Sequence, residues 1–203
     1  VTNPPIDPFR EKVVMSLECP IGPEANILQP NAKQVHRLWL KNPVVSITDL
    51  EVFKKISHRS WSCHVIDVTF PVSDGVQGFV KKLQDICNEA DAASKSNQII
   101  ILSDRLASKD RVPVSCLLAL GATHHHLIET RHRMKVALII ETAEAREVHH
   151  ICVLLGYGAD AICPYLTLEL ASSLRDQGVL DTNLSDEMIY QNYAQAMQVG
   201  IRK

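Results

Sequence analysis

A chain of 203 residues, 46% hydrophobic and with a formal net charge of −2, is long enough to bury a substantial core and fits one domain of ordinary size or slightly above. Its 21 basic and 23 acidic residues are interspersed and aromatic residues make up only 5%, so no basic stripe exists to track a nucleic-acid backbone. The longest apolar runs, such as QIIIL and VALII, fall far short of a bilayer span, which excludes a membrane-spanning helix.

Residues 1–63 read as an irregular N-terminal arm. It is dense in proline, with short helical patterns at 6–17 and 48–57 and the irregular stretch GPEANILQP between them. The opening VTNPPIDP reads as the interior of a longer polypeptide. From residue 64 a regular alternation begins. HVIDVTFPV (64–72) is β-branched and bounded by SDG, and the segment after it carries Val76, Phe79, Val80, Leu83, Ile86 and Cys87 at helical spacing. NQIIILS (97–103) then precedes a helix over 113–130, in which Pro113 suits the first turn. KVALIIE (135–141) precedes a helix over 145–156, and DAICPY (160–165) precedes one over 166–178. A last helix follows Ser185, its expected N-cap, with Met188, Ile189, Tyr193 and Met197 along one side.

Continuous apolar strands alternating with helices define an α/β fold with a parallel β-sheet of about four βα units, because only such strands bury both faces. Four units are too few to close an eight-stranded barrel. The expectation is therefore an open, incomplete barrel-like sheet over 64–203, with the arm or the C-terminal helix covering part of an edge, all within one structural domain. Edges and apolar patches left uncovered favour self-association of the isolated chain.

Four of the nine histidines crowd into GATHHHLIETRHR (121–133), which raises the question of a metal site. On a helix, neighbouring imidazoles fan out by about 100° per residue, so His124, His125 and His126 do not converge on one ion. His149 and His150 are adjacent too, and no pair on either helix has the spacing of three or four that a helical metal pair needs. The expectation is no metal, with one or two histidines hydrogen-bonded at a packed interface and the rest in water. Six cysteines at 19, 63, 87, 116, 152 and 163 form no CxxC or similar cluster. They read as reduced core thiols of a reducing, intracellular compartment, taken here as the cytoplasm.

In parallel α/β folds chemistry collects at the C-terminal ends of the strands. Those ends carry Asp104 and Arg105, Glu141, and Tyr165, a possible pocket rim for a polar ligand. The same residues can equally pair with one another and with Asp110, Arg111 and Arg146. LLGYGAD (154–160) has its glycines after a helix and before a strand, the reverse of a dinucleotide fingerprint, so Gly156 or Gly158 is expected to end that helix in the left-handed conformation. No GxSxG, Walker loop or usable Cys/His pair is present, and no catalytic residue is assigned.

TNPPIDPFREKVVMSLE near the start, IILSDR at 100–105, PVSCLLALGATHHHLIE at 113–129 and EAREVHHICVLLGYGADAICPYL at 144–166 together resemble the central domain of glutamate synthase. The resemblance covers nearly the whole chain in order. It implies a large oxidoreductase of glutamate biosynthesis and ammonia assimilation. In that family an amidotransferase domain with a cysteine nucleophile hydrolyses glutamine, and ammonia passes through a tunnel to an FMN synthase domain, where it meets 2-oxoglutarate. Electrons from NAD(P)H or ferredoxin arrive through an iron–sulfur cluster. The central domain is implied to connect the two reacting domains, its partners in the same polypeptide, and to carry neither flavin nor metal itself. The triple histidine then belongs to a family segment that is not a metal site. Thr2 and Asn3, held extended by Pro4-Pro5, become candidates for the tunnel wall. An independent βα-fold enzyme using Asp104, Arg105, Glu141 and Tyr165 on a phosphorylated or carboxylated metabolite, and a purely structural scaffold, stand as alternatives. A thermal-shift ligand screen separates the first, since a substrate at 100 times its dissociation constant adds about 2.7 kcal/mol, and work on a full-length enzyme separates the second.

Overall fold

The computed structural model describes residues 16–203, and the Lys33 side chain is outside the description. The helical pattern at 6–17, apart from its last two residues, and the candidates Thr2 and Asn3 therefore lie outside the described residues.

Among the described residues eight strands and six α-helices follow one another: β1 (Cys19–Ile21), β2 (Leu38–Leu40), α1 (Ile47–Lys54), β3 (Cys63–Asp67), β4 (Thr69–Pro71), α2 (Gly75–Ala93), β5 (Ile99–Ser103), β6 (Arg111–Pro113), α3 (Cys116–Glu129), β7 (Ala137–Glu141), α4 (Val148–Gly156), β8 (Ala161–Cys163), α5 (Tyr165–Asp176) and α6 (Asp186–Ile201). The four long-range strands form one parallel sheet in the order β3-β5-β7-β8. The four expected βα units are all present, and the sheet is open.

Sheet order here equals chain order, and this single fact decides where everything else packs. Right-handed crossovers between strands laid down in one direction place their helices on the same face of the sheet. On that face Ile100, Leu102, Leu138, Ile140 and Ile162 meet apolar residues of α2, α3, α4 and α6, such as Ile86, Leu120, Ile151 and Met197. The opposite face presents the alternate residues Ile99, Ile101, Ala137, Ile139, Ala161 and Cys163. No crossover helix is available for it. The arm fills it instead, with Ile21, Val45, Leu50 and Phe53. Burying a side chain such as Leu50 or Phe53 there contributes about 1.5–3 kcal/mol. The apolar runs of β5 and β7 are buried throughout because the arm provides the second cover.

The arm also closes one sheet edge. Val44 forms a parallel bridge to Ile162, the Ile162 N–H donates to Pro43 O at 2.8 Å, and the Val45 N–H donates to Ile162 O at 2.9 Å. Tyr190 of α6 donates its hydroxyl to Val44 O, so arm and C-terminal helix secure that edge together. At the other edge β3 alternates more weakly, and Val65 is half-exposed. Ser46 caps α1 by accepting from the Asp49 N–H, and Ser185 caps α6 by accepting from the Met188 N–H. Ile189 and Met197 of α6 are buried and Tyr193 partly so, while Met188 turns to solvent.

Two expectations need correction. The run 64–72 is not one strand. It breaks at Val68, where the Asp67 carboxylate accepts from both the N–H and the hydroxyl of Thr69, and β4 then pairs antiparallel with β6. Pro113 does not open a helix but ends β6 opposite Thr69, and α3 starts three residues later. Its exposed N–H groups are capped from a distance: the Glu144 carboxylate accepts from the Cys116 N–H at 3.0 Å and from the Ser115 hydroxyl at 3.2 Å.

Just beyond the end of α3, His132 Nδ1 lies 2.8 Å from the Asp91 carboxylate of α2. Hydrogen bonds from Thr130 and then His132 hold Asp91 down to about 2, against a usual 3.8. Because the folded value is the depressed one, Asp91 adds stability above 3.8 and loses that contribution as pH falls towards 2. Urea midpoints measured across that window are expected to fall with pH, and the Asp91→Asn variant to lose that part of the slope. A variant with the parent's slope would refute this role.

Candidate functional site

The four strand-end candidates are brought together. Asp104 directly follows β5, Glu141 is the last residue of β7, and Tyr165 opens α5 just after β8. Asp104 and Glu141 are each 2% exposed, a costly position for a carboxylate unless its lone pairs are filled. They are filled. Asp104 accepts from the Thr142 hydroxyl at 2.7 Å and from the Ala143 N–H at 2.9 Å. Burial raises its pKa against the opposing pull of these bonds. Glu141 accepts from the Ser103 hydroxyl at 2.7 Å and from Lys54 Nζ at 3.0 Å, with an Arg105 guanidinium nitrogen at 3.8 Å.

Arg105 lies over the Tyr165 ring at 4.4 Å and pairs with Glu169 of α5. Burial and the Asp104 charge push the Tyr165 phenol well above its usual value, so it stays a protonated donor. Burial pulls Lys54 down, but its bonds to Glu51 and Glu141 outweigh this and raise it. The result is a charge network closed on itself. The buried carboxylates accept from groups inside the protein, and of the more exposed members Arg105 donates to Glu169. Of the wider set weighed from sequence, Arg111 bonds to Asp67 and Thr69, and Arg146 only donates its backbone N–H to His150. Among the described residues none of these, nor Asp110, joins the four.

Sequence reasoning missed Lys54, Ser103 and Glu169, whereas Thr142 lies at a strand end that the sequence marks. A buried Glu141 requires a cation, but nothing local says that it comes from a helix 87 residues earlier.

The histidine run is divided by its surroundings. His124 accepts from Arg133 Nε at 3.0 Å, and burial followed by the Arg133 charge lowers its pKa, keeping it the neutral acceptor this bond needs. Arg133 also donates to Val136 O, Gly158 O and the Asp160 carboxylate at 2.8–2.9 Å. Gly158 has φ +107°, and a Cβ there would meet His124 Nδ1 at 2.2 Å, so glycine is required at that helix end. His125 is exposed and packs edge-on against His124 at 5.4 Å. Among the described residues no group of three or more His, Cys, Asp or Glu could hold a metal ion. All six cysteines are free. Burial pushes Cys63, Cys116 and Cys163 up to about 12, away from the thiolate that an iron–sulfur cluster requires. Two buried carboxylates at the strand ends are also the wrong charge for a flavin phosphate. These residues do not fit either group.

Fold and site together define an open parallel α/β domain whose strand-end charges pair with groups of the domain itself. Comparison with known proteins gives that class a family. The family described as glutamate synthase central domain matches residues 1–203, the full chain, and the chain belongs to it. It is 43% identical over 206 residues to a glutamate synthase (NADH) of Schizosaccharomyces pombe, all of this chain aligning with 10% of that protein. It is 38% identical over 204 residues to the glutamate synthase (NADPH) large chain of Bacillus subtilis, aligning with 13% of it. It is 36% identical over 216 residues to a chloroplastic ferredoxin-dependent glutamate synthase of Arabidopsis thaliana, again 13% of that protein. The chain thus spans roughly a tenth of the length of these curated relatives. No helix among the described residues is long and apolar enough to cross a membrane.

Proposed function

We propose that this chain works as the connector of a glutamate synthase polypeptide inside the cell, holding an amidotransferase domain and an FMN synthase domain in register and contributing to the wall of the ammonia path. The observation that carries this is the sealed strand end: buried Asp104 and Glu141 have their acceptors filled from within, so the usual place for chemistry in such a sheet is given over to structure. An independent small-molecule enzyme would need those groups for a substrate. The described part of the arm, residues 16–63, acts with 64–203 as one structural unit, because it supplies the core on one sheet face. FMN and an iron–sulfur cluster belong to other parts of the parent, and the chain alone is inactive. In isolation its uncovered apolar surface favours self-association.

The test is made in the full-length enzyme. Asn3→Leu is expected to obstruct transfer, so that glutamine-dependent glutamate formation falls while formation from added ammonia persists. Thr2→Gly is expected to widen the path, so that glutamine hydrolysis exceeds glutamate formation. One-to-one coupling at normal rates in both variants would remove the tunnel role. Stoichiometric flavin on the purified chain alone would overturn the connector reading.

A further inference from the structure

The arm exposes large apolar side chains beside cationic ones. Leu38, Val52, Ile56 and Trp61 line a cavity of about 440 Å³ between β2, α1 and the turn at residues 58–61. Val52 is 61% exposed, and it and Leu38 also line an adjoining groove of about 780 Å³ that runs past Trp39, itself 68% exposed. The two depressions share a wall. Together they suit an extended segment rather than a single side chain.

The charged side chains lining the cavity, Arg37 and Arg59, are both cationic, whereas the adjoining groove mixes Lys41 with Asp49 and Glu187. His36, Arg37, His58 and Arg59 rim the cavity, on a chain whose net charge is −2. Arg37 reaches Glu24 and the carbonyls of Pro20 and Gly22 with its terminal nitrogens, which leaves its buried Nε without an acceptor among the described residues. Arg59 is exposed and makes no ion pair among the described residues. The nearby acids are engaged elsewhere: Glu51 with Lys54, and Asp49 with Ser46. Arg59 and Ser60 both have positive φ, +53° and +65°, in consecutive non-glycine residues. Such a turn is unfavourable for residues with side chains, and Arg59 lies within it on the rim.

We propose that this surface docks an acidic segment with apolar anchors, supplied by another region of the polypeptide in which the domain resides. The proposal rests on the connector reading for the source of the segment. Its carboxylates complement Arg59, and its apolar side chains cover Val52, Trp39 and Trp61.

The test places the photo-cross-linker benzoylphenylalanine at Val52 of the full-length enzyme. The expected product is an intramolecular cross-link to an acidic stretch outside residues 1–203. Arg59→Gly, which keeps the positive φ and removes the charge, should lower its yield about fivefold, the upper range for one exposed ion pair. A cross-link to residues 1–15, to a second copy or to a segment without acidic residues would overturn the proposal. So would no cross-link, or a yield indifferent to Arg59→Gly. Coupling of glutamine hydrolysis to glutamate formation is measured on the same samples. Intact coupling without the cross-link sinks this inference alone, whereas the connector reading stands or falls with the Thr2 and Asn3 variants.

Discussion

Lys54→Met is expected to destabilise the chain by about 3 kcal/mol at neutral pH, read from urea denaturation. The lysine is one of only two cations near Glu141 among the described residues, and the other, Arg105, stands off at 3.8 Å. Removing it leaves a 2% exposed carboxylate with a single short bond, from Ser103. Such an uncompensated buried charge costs far more than the pair contributes over an apolar substitute. A second change therefore serves as the control: Glu141→Gln in the Lys54→Met background should restore most of the loss, because the charge itself is gone. Glu51→Gln, which removes the half-exposed partner of the same lysine, should cost less than about 1 kcal/mol. Pairing raises Lys54, so its contribution is complete below the usual 10.5 and is lost only as pH rises through the raised value. Equal costs for Lys54→Met and Glu51→Gln would show that Glu141 does not depend on the lysine.

Gly158→Ala is expected to cost about 3–5 kcal/mol, from two separable sources. The first is backbone strain, since φ +107° is unfavourable for any side chain. The second is steric: the new methyl overlaps the His124 ring, which must swing away and abandon the bond from Arg133 Nε. That guanidinium is 14% exposed and ties α3, β7 and the turn before β8 together, so a lost acceptor there is felt by three elements. The double variant Gly158→Ala with His124→Ala keeps the strain but removes the overlap, and should recover part of the loss. If Gly158→Ala alone cost less than about 1 kcal/mol, the close approach of Gly158 and His124 would not be a packing constraint.

Much of this fold was readable because β5 and β7 are short apolar runs, each closed by one polar residue, between helices of clear periodicity, and their boundaries fall within two residues of the pattern. Where reading failed, the cause lay outside the local window. The break at Val68 arises because Asp67 bonds Thr69, Arg111 joins them, and β6 then competes for β4. The start of α3 is set by Glu144, 28 residues downstream of Cys116, so no local capping rule could find it. At the candidate site, Asp104, Arg105, Glu141 and Tyr165 were legible as strand-end residues, because the parallel arrangement alone brings those ends together. Their use was not. Whether a buried carboxylate faces a ligand or an internal lysine depends on where the arm docks, and the proline-dense, weakly periodic arm carries no pattern that gives its position on the sheet.

The docking of that arm has a consequence for how the chain is made. Val44 pairs with Ile162, so a stretch synthesised early must wait for about 118 further residues before its partner strand exists. At about 5–20 residues per second, translation alone imposes a delay of about 6–24 s. Until β5 and β7 have been made, most of the sheet face that Leu50 and Phe53 cover does not yet exist. The helix-bearing face is completed by contacts between neighbouring units, each closing a short loop, whereas the arm closes a long one. Nascent chains of this domain thus pass through a stage in which the half nearest the ribosome is ordered and the half made first is still searching, which is when a chaperone that shields apolar segments has most to hold.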